Sequence, residues 1–203
     1  VICGCVHQVG AQAYNLGRNA VLAAGWPESV PATTIDRQCG SSQQAMMFAA
    51  QAIMSGTPDI VLASGIESMT RVPMGSSTML YMKDGLGNYK SPRLDEKYPG
   101  IMFSQFAGAE MIVQKYGLTK ADLDAFALES HRRAKAATEA GHFRNEIVPV
   151  AIETPEGAAM HDTDEGIRFD ATLEGIAGVK LLQEGGAITA ATSSQICDGA
   201  SAA

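Results

Sequence analysis

The chain has 203 residues, 46% hydrophobic and 18% charged, with 15 Lys+Arg against 22 Asp+Glu and a formal net charge of −7. That balance supports a buried core and argues against disorder, and the acidic excess argues against nucleic-acid binding. No apolar run approaches the roughly 20 residues that span a bilayer, so neither nucleic acid nor a membrane is an expected partner.

Residues 1–6, VICGCV, read as a strand. In residues 12–24, Ala13, Leu16, Ala20 and Ala24 share a helical face, and Gly25 closes it. A short β-branched run, 32-ATTID-36, precedes a helix over 41–55 with Ala45, Met46, Ala49, Ala50 and Ile53 on one stripe and Gly56 as its stop. The continuous apolar run 59-DIVLASG-65 reads as a strand covered on both faces. This alternation indicates an α/β layer with a largely parallel sheet.

Residues 71–106 lack a period and read as a long irregular segment. Helical spacing returns at 107–117 and 119–141, with Thr119 and Asp122 at capping-box spacing. A strand over 146–152, a polar stretch, a short helix near 171–183 and a final strand–turn–helix start complete the chain. The predicted organisation is therefore an α/β domain from 1–70 plus 187–203, with a helix-rich insertion over 71–186. Both ends read as cut, at Val1 in a strand-like run and at Ala203 in an apolar Ala-rich stretch, so the sequence is expected to be part of a longer chain.

Cys3, Cys5, Cys39 and Cys197 form no C-x-x-C pair and no zinc spacing, and no metal is expected. Such sparse use fits a reducing, cytoplasmic compartment. Cys39 differs from the others in its setting, 35-IDRQCGSSQQA-45, between a short strand and a Gly-Ser-Ser helix opening. A strand-to-helix turn lies at the carboxyl edge of the sheet, where the free amides and the dipole of the helix favour a thiolate. This is the profile of a nucleophile elbow with sulfur in place of oxygen. A buried structural thiol is the alternative reading.

Four stretches in order carry a resemblance: DRQCGSSQQA, 65-GIESMTRVP-73, 122-DLDAFALESHRRAKAATEAGHFRNEIVPV-150 and 189-TAATSSQICDGASAA-203. Together they resemble the thiolases, acetyl-CoA acetyltransferases and 3-ketoacyl-CoA thiolases, over nearly the whole chain. The resemblance implies the N-terminal half of a layered αβαβα fold with an inserted loop domain. It also implies ping-pong acyl transfer between a Cys39 thioester and coenzyme A, as 3-ketoacyl-CoA thiolysis or acetyl-CoA condensation, with the Cys39 amide in an oxyanion hole. Coenzyme A would be a co-substrate, with no permanently bound cofactor. Ser194 would meet the pantetheine arm, Ala190 a nearby wall, and Arg168 the nucleotide end. The partners implied are acyl-CoA, CoA and further copies of the chain, as a homodimer or homotetramer.

Two departures matter. Ser104 and Gln105 stand where short-chain biosynthetic members carry a His-Met pair. The G-H-P and C-x-G-G-G motifs that supply the family's acid and base do not occur, so these residues alone are expected to be inactive and poorly soluble. His131 and His142 are expected to face solvent or cap a helix, and His161 to lie in a polar loop; His7 could line the site. Alternatives are a ketosynthase-like condensing enzyme, which shares the thiol, and a non-catalytic acyl-CoA- or lipid-binding relative, which would not need it.

Overall fold

A computed structural model describes the backbone of residues 1–203 and every side chain except those of residues 80–82. Two compact units emerge, Val1–Pro99 with Ile196–Ala203, and Gly100–Gln195. The sequence divisions at 70/71 and 186/187 fall inside these units.

The first unit is built on a four-stranded sheet. β1 (Ile2–Gly4) pairs in parallel with β2 (Thr33–Ile35) on one side and β3 (Ala63–Ser68) on the other. The fourth strand of this sheet, formed by Asp198–Ala202, pairs antiparallel with β3, placing Asp198 opposite Ser68 and Ala202 opposite Ser64. The predicted strand at 59–65 thus begins four residues later, and the chain end that read as a helix start is an edge strand. Asp198 fixes this register by accepting the Thr70 N–H at 3.0 Å and the Thr70 and Ser68 hydroxyls.

α1 (Leu16–Ala23) links β1 to β2, and α2 (Ser41–Met54) links β2 to β3. Asn15 caps α1, its side chain accepting the Arg18 N–H. α2 lies on the sheet through Ala45 and Ala49, which pack with Ala63, Ile2, Ile35 and Val61. The predicted five-residue stripe is narrower than expected: Met46, Ala50 and Ile53 are exposed, as are Met47, Phe48 and Met54. Small alanines let the helix sit close to the sheet, which meets it along the narrow line of Ala45 and Ala49. The segment expected to be irregular contains α3 (Ser76–Asp84) and α4 (Pro92–Lys97).

The second unit is mainly helical. α5 (Gln105–Tyr116) and α6 (Lys120–Glu139) match the periodicity. The capping box forms as the sequence predicts: the Thr119 side chain accepts the Asp122 N–H, and Asp122 accepts the Thr119 N–H at 2.8 Å. The strand expected at 146–152 and the polar stretch after it form a hairpin of β4 (Val150–Thr154) and β5 (Gly157–His161). Pro149 delays the first strand, since it has no N–H to give a ladder. α7 (Leu173–Ala177) follows, tied to α6 by Lys120, which bonds both the buried Asp124 carboxylate and the Ala177 carbonyl. The edge strand Asp198–Ala202 of the first unit is β6 in chain order. No helix among the described residues is long and apolar enough to cross a membrane.

Candidate functional site

Cys39 lies in the turn from β2 to α2, and it is exposed. The turn is tight. Arg37 N–H donates to the Ser41 hydroxyl at 3.1 Å, Gln38 N–H to Asp36 Oδ1 at 2.7 Å, and Gly40 N–H to the carbonyls of Arg37 and Gln38. Gln38 and Cys39 take φ of 29° and 22°, a region that side chains with a Cβ rarely occupy. Such strain persists only where the surroundings impose it.

The surroundings here are the sheet beneath. A Cβ on Gly4 would stand 2.7 Å from the Ser41 carbonyl oxygen and 2.5 Å from the Ser42 nitrogen. A Cβ on Gly65 would stand 2.7 Å from Ser42 Cβ. The first turn of α2 therefore rests directly on two glycines of adjacent strands, and only glycine permits that approach. The first intrahelical bond runs from Gln44 N–H to Gly40 C=O at 2.9 Å, so the amides of Ser41, Ser42 and Gln43 precede the helical ladder. An accessible thiol thus sits just ahead of a helix N-terminus whose first-turn amides are free of the helical ladder.

The other cysteines contrast with it. Cys3 and Cys5 are buried and free, as the spacing implied. Burial pushes the Cys5 thiol up to about 11, and the negative charge of Glu67 and the neighbouring Cys3 add to the rise. Cys5 is therefore a core thiol rather than a nucleophile. Cys197 is exposed but lies just before the edge strand, away from any helix start.

His7 does not line an open site. It is buried, at 7% exposure, and engaged on both ring nitrogens. Its Nε2 accepts the Gly75 N–H at 2.9 Å, which leaves the ring proton on Nδ1, 3.1 Å from Glu67 Oε1. Glu67 also accepts the Val6 N–H at 2.8 Å and the Gln12 side chain at 3.0 Å. Burial raises the Glu67 pKa, but the donors from Val6, Gln12 and His7 outweigh it and hold the carboxyl below its ordinary value. The cluster locks the loop after β1 to β3 and to the turn at Gly75. Nothing in the spacing of His7, Gln12 and Glu67 marks this network, because Glu67 lies 60 residues from His7 and 55 from Gln12.

In the second unit, Ala190 opens a 3-10 turn over Ala190–Thr192 and Ser194 follows it, both exposed. The turn is anchored from below. Buried Glu110 accepts the N–H groups of Ala187 and Ile188 at about 3 Å, and Thr189 is fully buried. Arg168 is exposed on the segment before α7. Gln195 links the two: its side chain donates to the Gly166 carbonyl at 2.6 Å. Arg168, Ala190 and Ser194 therefore belong to one unit and one bonded set of loops, and Cys39 belongs to the other unit. His131 is half-buried rather than solvent-facing, and its Nδ1 accepts the Arg168 N–H at 3.2 Å. His161 ends β5 instead of lying in a loop, and His142 is exposed after α6.

Residues 1–203 match the family model described as "Thiolase, N-terminal domain". A steroid 3-ketoacyl-CoA thiolase of Mycobacterium tuberculosis is 47% identical over 207 residues, covering 100% of this chain and 49% of that protein. A 3-ketoacyl-CoA thiolase of Cronobacter sakazakii is 42% identical, covering 98% of this chain and 50% of that protein. The crystal structure of human mitochondrial 3-ketoacyl-CoA thiolase superposes with a TM-score of 0.76 at 30% identity, over 99% of this chain and 52% of that one. The chain spans about half the length of the relatives it matches.

Proposed function

The chain belongs to the thiolase family, as its N-terminal domain, and from that premise we propose that the protein transfers acyl groups between coenzyme A and the thiol of Cys39. In thiolysis the Cys39 sulfur attacks the 3-keto carbon of a 3-ketoacyl-CoA. The bond between C2 and C3 breaks, its electron pair and a proton leave with acetyl-CoA, and the shortened acyl group stays on sulfur. The thiol of a second coenzyme A then attacks this thioester, and Cys39 regains its proton. Run backwards, the same steps join two acetyl units.

The observation that carries the reading is the Cys39 turn: exposed, strained, and seated at the start of α2 by Gly4 and Gly65. A core cysteine needs no such geometry, as Cys5 illustrates. The amides at this turn suit an oxyanion on the attacked carbon, with the Cys39 N–H as one donor. The acid and base that move the protons fall to the G-H-P and C-x-G-G-G motifs of the family, outside these residues. Coenzyme A acts as co-substrate, with no cofactor held permanently. Its pantetheine arm is assigned to Ser194 and Ala190, and its nucleotide to Arg168. The proposal extends to a reducing, cytoplasmic setting, supported by four free thiols, and, by family, to a homodimer or homotetramer.

Intact-mass analysis of the full-length protein tests the core of this reading. Wild type and Cys39→Ala are mixed with acetoacetyl-CoA and with a longer 3-ketoacyl-CoA. An acyl adduct on the wild type alone, discharged by free coenzyme A, is expected. Binding of both esters without any adduct would instead identify a non-catalytic acyl-CoA-binding relative.

A further inference from the structure

His131 and Lys135 stand four residues apart on α6, so their side chains leave the same face of the helix. Both end on the backbone of one short segment. His131 Nδ1 accepts the Arg168 N–H at 3.2 Å, and Lys135 Nζ donates to the Phe169 carbonyl at 2.9 Å. With Nδ1 as acceptor, the neutral ring carries its proton on Nε2. Two residues upstream, Asp164 Oδ1 accepts the Gly166 N–H at 2.7 Å and the Gln195 side chain donates to the Gly166 carbonyl at 2.6 Å.

None of these bonds uses the Arg168 guanidinium. That side chain is exposed, and among the described residues no carboxylate pairs with it. The backbone on each side of Arg168 is thus fixed while its charge stays available. A guanidinium recognises phosphate by a directional fork, so its usefulness depends on where its stem is anchored. Ordering a free loop at the moment of binding would oppose affinity, and an anchored loop avoids that.

We infer that His131 and Lys135 are positioning residues that hold Arg168 for the phosphate-bearing nucleotide end of a CoA thioester or of coenzyme A, an inference that rests on the assignment of Arg168 given above. His131 supplies a lone pair and Lys135 a proton donor to the backbone, and neither touches the ligand.

The test compares two thiolysis acceptors in the full-length protein: coenzyme A, and pantetheine, which lacks the nucleotide. Arg168→Ala should reduce the preference for coenzyme A over pantetheine. His131→Leu should lower kcat/KM for coenzyme A about three- to ten-fold, the size of one neutral hydrogen bond, through KM and with kcat retained. Its rate with pantetheine should stay unchanged. His131→Asn places an amide oxygen near the position of Nδ1 and should restore wild-type behaviour. Lys135→Met should shift the preference in the same direction as His131→Leu. Equal losses with both acceptors would show a merely structural role and overturn the inference. An Arg168 effect with no effect from His131 or Lys135 would overturn it alone. No change of preference in Arg168→Ala would remove the assignment of Arg168 and the inference with it.

Discussion

The turn that carries Cys39 and the segment that carries Arg168 are held in opposite ways. Backbone packing places Cys39: a strand end, a turn of positive φ, and a helix lowered onto Gly4 and Gly65. Side chains place Arg168: His131, Lys135, Asp164 and Gln195 each spend a polar group on its neighbouring backbone. Backbone packing tolerates almost no added atom but is indifferent to distant polar changes. Side-chain clamps tolerate substitution one at a time, and each loss is a modest fraction of the whole.

The largest effect that can separate the two regimes is at Cys39 itself. Cys39→Ala should abolish acyl transfer by at least about a thousand-fold, because no other exposed thiol stands at a helix start. Cys39→Gly should be equally inactive yet more stable than Cys39→Ala by about 1 kcal/mol, since glycine accepts a positive φ without strain. A pair of thermal melts reads this difference, and equal melting temperatures would contradict a strained turn.

Next in size come the glycines beneath the turn. Gly4→Ala should cost about 1–3 kcal/mol, because the new methyl meets the backbone of Ser41 and Ser42, which cannot swing aside. Gly65→Ala should cost less, because it meets mainly the Ser42 side chain. Denaturant midpoints in the full-length protein rank them, and the reverse order would mean that α2 does not rest on β1.

The buried cluster around Glu67 gives a smaller, pH-dependent effect. Its pKa is lower in the folded chain than its ordinary value of 4.5, so the unfolded chain binds the proton more readily. The carboxylate therefore stabilises the fold above that value, and the contribution disappears as pH falls through the lower, folded value. Melts of wild type and Glu67→Gln should converge on acidification below about pH 4.5, while a constant gap down to pH 3 would refute the role of the charge. The smallest effect belongs to Glu129. Arg132 and Arg133 hold its carboxyl down to about 2, yet both arginines are exposed and Glu129 is only half-buried, so Glu129→Gln should leave the melting temperature unchanged within error.

The same contrast explains what could be read from the sequence. The Cys39 turn is local, and a β-branched run, a thiol, Gly40 and two serines announce it within ten residues. Helices α5 and α6 were legible for the same reason, through periodicity and the Thr119–Asp122 box. The clamps on Arg168 were not. His131 and Lys135 show the right i,i+4 spacing, but their partners lie 37 and 34 residues onward, and nothing local names them. Gly4 and Gly65 read as ordinary strand residues until α2 is seen lying on them. The second strand of the hairpin, β5, hid in a polar stretch because its residues are all exposed, so no alternation of apolar and polar residues marks it. Residues 71–106 hid α4 because it has no buried residue, so no apolar stripe marks it in the sequence.

The antiparallel strand at Asp198–Ala202 sets the order in which the first unit can be completed. Its partner β3 emerges from the ribosome about 130 residues earlier, and the whole second unit is made in between. At about 5–20 residues per second that interval is on the order of ten seconds. Throughout it the outer edge of β3 presents unpaired amides and carbonyls, a template for pairing with other chains. Synthesis of this protein therefore includes a period of edge exposure whose length is set by the second unit, and chaperone demand should rise with any insertion into residues 100–195.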